Sequence, residues 1–76
     1  MNQQRRKELN ELVSELEEIE NRLESIKNDE EEYRDNLPEN LQGSEKYDMS
    51  DSACFEMENA IAFLADAISS IEAAQE

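Results

Sequence analysis

Twenty-one carboxylates and a single thiol hold nearly all the reactive or ligating chemistry of this chain, which has no histidine. General acid–base work needs a carboxylate whose surroundings move its proton affinity. Most of these carboxylates fall on outward positions of an apolar repeat and are expected to face water. Glu30 is the exception, because it interrupts the apolar repeat at a position opposite Ser50, the interruption of the second half. A polar layer that fixes register explains this better than catalysis does. The run Asp48-Met49-Ser50-Asp51-Ser52 opens like a calcium loop but has neither the central glycine nor the closing glutamate, so no metal site is expected. Cys54 falls in the apolar seam and reads as a small core residue. There is no Cys-x-x-Cys, glycine-rich phosphate loop or nucleophile elbow. These features predict a non-enzymatic chain with no cofactor.

The charge balance narrows the partners. With 21 acidic and 7 basic residues and a net charge of −14, direct binding to nucleic acid or to an anionic membrane face is disfavoured, and a basic or neutral protein surface is favoured. Half of that charge lies between Asp29 and Asp51. Asp29, Glu31, Glu32, Asp35, Glu39, Glu45 and Asp48 form an acid-dense tip there. Such a tip could imitate a phosphate backbone, so an acidic inhibitor or nucleic-acid mimic directed at a nucleic-acid-binding protein is the alternative functional reading. No apolar run is long enough to span a membrane. The basic start Arg5-Arg6-Lys7 has no apolar stretch behind it, unlike a secretory signal. With a lone cysteine, this points to a cytoplasmic protein.

The elements that would position these residues follow from apolar spacing around Leu37–Gly43, which holds the only proline and the only glycine. Before it, Leu9, Leu12, Leu16, Ile19, Leu23, Ile26 and Tyr33 recur at steps of three and four; after it, Tyr47, Cys54, Met57, Ile61, Leu64, Ile68 and Ile71 do the same. Folding the chain back antiparallel, so that paired numbers sum to roughly 80, matches these positions and also brings the interruptions Glu30 and Ser50 together. On one flank this register places Arg6 by Glu72, Val13 by Ala65 and Lys27 by Asp51. Arg5-Arg6-Lys7 would be a clamp against Glu72 and Glu76. The pair Glu20 with Glu58 is repulsive and speaks against the register.

The predicted fold is all-α, a single domain over 1–76 built as a coiled-coil-like antiparallel hairpin. Helix one covers about 3–36, the turn 37–43, and helix two about 44–74. Pro38 stops the first helix, Gly43 supplies backbone freedom in the turn, and Leu37 and Leu41 fold over the end of the core. Ser44 is the expected N-cap, with Ser50 or Asp51 as the competing start. Fourteen core side chains are few for a free-standing fold, so a homodimer forming a four-helix bundle is expected. Its surface would be the flank Met49, Ala53, Ala60, Phe63, Ala67 and Ala74, where small residues permit close approach. The competing view is that Glu8, Glu15 and Arg22 lay their stems over the alanines.

The hinge Pro38-Glu39-Asn40-Leu41-Gln42-Gly43-Ser44-Glu45-Lys46-Tyr47, preceded by Tyr33-Arg34-Asp35-Asn36-Leu37 and followed by an Ala-rich helix, resembles a group of small acidic proteins of bacterial, especially Gram-positive, and phage genomes. The resemblance implies a helical hairpin of unassigned function, of a kind that phages also carry, and carries no functional residues over.

Overall fold

A computed structural model describes residues 1–75 as two long helices joined by a short 3₁₀ turn, with no strand among them. Helix α1 runs Gln3–Asp35 and helix α2 runs Glu45–Ala73, with the 3₁₀ turn at Glu39–Leu41. The two helices pack against each other antiparallel in a body 59 × 15 × 12 Å.

Each helix begins on a side-chain cap. The Asn2 Oδ1 accepts from the Arg5 amide at 2.8 Å, and the Ser44 Oγ accepts from the Tyr47 amide at 3.4 Å. These caps satisfy N–H groups that have no partner within a helix. Ser44 is thus where α2 starts, and Ser50 and Asp51 are already helical. The turn is closed by its own groups: the Leu41 amide donates to the Pro38 carbonyl at 2.8 Å, Gln42 Nε2 to the Leu37 carbonyl at 2.7 Å and Ser44 Oγ to the Leu41 carbonyl at 2.5 Å. Leu37 and Leu41 are half-buried there. Gly43 corrects an expectation, since no glycine adopts a positive φ and a Cβ at Gly43 would meet nothing within 4 Å. The turn bends through Pro38 and the 3₁₀ residues instead, which any side chain tolerates.

The seam on α2 falls where the apolar spacing places it. Cys54 and Ile68 are buried, and Tyr47, Met57, Ile61, Leu64 and Ile71 are half-buried. Glu30 and Ser50 do meet, with Ser50 Oγ donating to Glu30 Oε2 at 2.5 Å, and Ser50 is buried. The seam on α1 differs. Leu9, Leu16 and Leu23 are half-buried as expected, but between them the helix turns Val13, Glu20, Lys27 and Arg34 toward α2, and Val13 is the buried residue of α1. Leu12, Ile19, Ile26 and Tyr33, expected to oppose Ile68, Ile61, Cys54 and Tyr47, are left 47%, 47%, 57% and 50% exposed. The physical reason is width. The apolar sector of α1, from Leu12 through Leu9 to Val13, covers more of the helix circumference than one partner helix can shield.

The flank pairs change for a related reason. Arg34, not Lys27, reaches Asp51, with Nη1 to Oδ1 at 2.8 Å, while Lys27 pairs with Glu31 of its own helix at 3.2 Å. A long helical side chain leans toward its own N-terminus, so Arg34 meets the level of α2 that lies opposite residues one turn earlier. Val13 lies buried and Ala65 exposed. Arg5, Arg6 and Lys7 are exposed and make no ion pair with any described residue, Glu72 included. Glu76, the other half of the expected clamp, lies outside the described residues.

Candidate functional site

Turning α1 in this way gives the hairpin two unlike broad faces. One carries Arg34, Lys27 and Asp51. The other is defined by a shallow open depression lined by Glu30, Tyr33, Lys46, Met49, Ser50 and Ala53, and by a second one lined by Ile19, Arg22, Leu23 and Ile26. The first depression puts Tyr33 of α1 and Met49 and Ala53 of α2 on a common side. Because residues seven apart drift by only about 20° around a helix, that side also takes in Leu12, Ile19 and Ile26 from α1 and Ala60, Ala67 and Ala74 from α2, with Phe63 at its outer edge.

The face is apolar and wet. Met49 is 66% and Phe63 71% exposed; Ala53 and Ala60 are half-buried, and Ala67 and Ala74 exposed. The six α2 residues expected to self-associate therefore share this side, and the α1 stripe Leu12, Ile19, Ile26 and Tyr33 completes it. Spacing alone assigns those four to the intramolecular seam. The readable signal was that Val13 makes the apolar sector of α1 too wide for one neighbour. Exposed apolar residues scattered singly are ordinary, whereas these lie together along two helices.

Charge separates the faces as well. Arg5, Arg22 and Lys46 stand against Glu8, Glu15, Asp29, Glu30 and Glu56 on the apolar side, a net of −2 out of the −14 of the chain. The opposite face carries Glu17, Glu20, Glu24, Glu31, Asp51 and Glu58 with Arg6, Lys27 and Arg34. Among these, the Arg34 guanidinium is held more strongly protonated than usual, first by its hydrogen bond to Asp35 at 3.0 Å and further by Asp51. Lys27 is raised above its ordinary value, chiefly by the hydrogen bond to Glu31, with Glu24 and Glu58 adding to it.

Of the tip carboxylates, Glu31 is half-buried on Lys27 and Asp35 is tied to Arg34. Asp29, Glu32, Glu39, Glu45 and Asp48 are exposed and make no ion pair with described residues. Helix geometry spreads them around the tip, with Asp29 flanking the apolar face, Asp48 on the opposite face and Glu32 and Glu45 pointing outward. No group of three or more His, Cys, Asp or Glu among the described residues is arranged to hold a metal ion. Cys54 is 2% exposed, and burial pushes its thiol above the ordinary value while Arg34 pulls the other way. A buried thiol with raised pKa is a poor nucleophile. A further depression along Gln3, Arg6, Lys7, Asn10, Glu11 and Ser14 is the bare surface of one helix. No described helix is long and apolar enough to cross a membrane. No protein-family model, curated protein or solved structure matches the chain.

Proposed function

We propose that this chain is a non-enzymatic interaction module, a helical hairpin that self-associates through its apolar face into a four-helix bundle. The observation that carries the reading is the half-exposed stripe Leu12, Ile19, Ile26 and Tyr33 lying beside Met49, Ala53 and Ala60 on one side of the body. Size supports it. A compact monomer of 8.8 kDa exposes about 4,800 Å², whereas this hairpin exposes 5660 Å². The excess is roughly 900 Å², close to the ~800 Å² that each partner contributes to a standard protein interface. Likewise, the radius of gyration is 17.4 Å, against about 11 Å for a compact chain of this length. The low charge of the apolar face is what lets a second acidic copy approach.

The alternative, an acidic nucleic-acid mimic, draws on the tip between Asp29 and Asp51. It has less support, because a phosphate strand presents its charges along one edge, and these carboxylates encircle the tip.

Light scattering across a concentration series tests the main reading. Wild type is expected to be a dimer at micromolar concentration. Ile26→Glu and Phe63→Glu should each raise the dissociation constant by at least about tenfold, as a carboxylate buried in an apolar interface costs well over 1.4 kcal/mol. Phe55→Glu, an equally exposed aromatic on the opposite face (61%), should change nothing. A well-folded wild-type monomer at several hundred micromolar overturns the proposal.

A further inference from the structure

Resting on the self-association just argued, we infer that the two hairpins pair head-to-tail, each acidic turn end lying against the Arg5-Arg6-Lys7 end of the other copy. Two closed two-fold arrangements bring the apolar faces together. In one, the axis runs along the hairpins, both turns sit at the same end, and α1 of each copy lies over α2 of the other. In the other, the axis crosses the hairpins, the turns sit at opposite ends, and like helices stack antiparallel.

Packing favours the first modestly, since large α1 side chains would face the small α2 stripe. Charge opposes it strongly. Nine carboxylates against Arg34 and Lys46 between Asp29 and Asp51 give each tip −7, so turns held side by side would concentrate −14 within about two helix diameters. Head-to-tail pairing instead sets each tip near the open end, where Arg5, Arg6 and Lys7, cations that make no ion pair with described residues of their own chain, offset Glu8, Glu11, Asp66 and Glu72 to a net of −1. Arg5 is placed for this: it lies seven residues before Leu12, on the stripe that forms the interface. The packing difference can be absorbed by a small tilt between hairpins, because alanine and leucine seams differ by only about 2 Å in interaxial distance. No comparable adjustment removes fourteen like charges, most of them within a Debye length of about 8–10 Å of another. The charge argument decides the orientation.

Spin labels on Asn40→Cys, in a Cys54→Ala background, report the arrangement directly, as Asn40 is exposed at the apex of the turn. Head-to-tail pairing predicts a label separation approaching the 59 Å length of the body. A separation under about 25 Å, two helix diameters, overturns it while leaving self-association intact. A labelled and an unlabelled protein that are both monomeric at all concentrations overturn the self-association itself. Independently, reversing Arg5, Arg6 and Lys7 to Glu should weaken the dimer by about tenfold in low salt, and adding Asp29→Lys, Glu32→Lys and Asp35→Lys should restore it. A charge-reversed triple variant that dimerises as tightly as wild type also overturns the head-to-tail arrangement.

Discussion

Cys54 and Lys27 both hold their protons more tightly in the folded hairpin. Burial raises the Cys54 thiol above its ordinary 9.0, with Arg34 partly offsetting this, and the Glu31 hydrogen bond raises Lys27 above its ordinary 10.5. In both cases the folded state holds the proton more tightly than the unfolded state. The stability they contribute is therefore complete below pH 9 and is lost as pH rises through the folded values. Urea midpoints should stay flat from pH 7 to 8.5 and fall beyond pH 9. Cys54→Ala should remove the earlier part of that fall, leaving the later part due to Lys27. If the midpoint of Cys54→Ala declines from pH 9 as wild type does, the thiol is not the group responsible. Glu30 and Ser50 illustrate a different use of polarity, a hydrogen-bonded pair at 2.5 Å set into an apolar seam. Shifting the register by one heptad would leave each facing an apolar partner, with Ser50 buried and unsatisfied.

At the scale of elements, the helices and their caps were legible in the sequence, and the rotation of α1 was not. Proline, serine and the 3/4 spacing act locally, so the helix ends near Asn36 and Ser44 could be read from neighbours in the chain. Glu30 and Ser50 could be paired because two defects in two repeats constrain one register. Which stripe of α1 turns inward is not local. Leu12 and Val13 are both apolar and lie about 100° apart on the helix, so spacing alone could not choose between them. With Val13 inward, Arg34 comes within reach of Asp51 and Glu30 still meets Ser50. The exposed apolar face was half legible for the same reason. Its α2 side was evident from alanines every seven residues, and its α1 side was hidden within the assumed seam. Gly43 gives a test at this scale. Its φ is not positive and a Cβ there meets nothing, so Gly43→Ala should stabilise the hairpin by about 0.4–1 kcal/mol through the unfolded chain. Ser44→Ala should destabilise it by about 1 kcal/mol, because the cap on the Tyr47 amide is lost. Thermal melts of the two variants should therefore move in opposite directions. A destabilised Gly43→Ala would mean that the turn needs the freedom glycine provides.

For the whole molecule, a net charge of −14 on a body 59 Å long opposes both folding and assembly. The described ion pairs, Lys27–Glu31, Arg34–Asp35 and Arg34–Asp51, all involve exposed or half-exposed groups and offset little of it. Salt should screen repulsion more than it weakens these pairs, so the melting temperature should rise between 20 mM and 0.5 M sodium chloride. Moderate acidification should act in the same direction as carboxylates lose charge toward the pI of about 4.1. A melting temperature that falls across the salt series would show that attraction between unlike charges dominates instead.

The turn, closed by hydrogen bonds among Leu37, Pro38, Leu41, Gln42 and Ser44, has a consequence for the order in which the hairpin forms. Bringing the ends of so short a loop together takes on the order of 10–100 ns, and every later contact between α1 and α2 is closest in sequence to one already made. Folding can then proceed as a zipper from Leu37 and Ser44 toward Gln3 and Ala73. Changes near the turn would act on the folding rate, and changes near the open end on the unfolding rate. On this route the two ends of the seam are kinetically unequal: φ-values should be high at Leu41 and Tyr47 and low at Leu9 and Ile71.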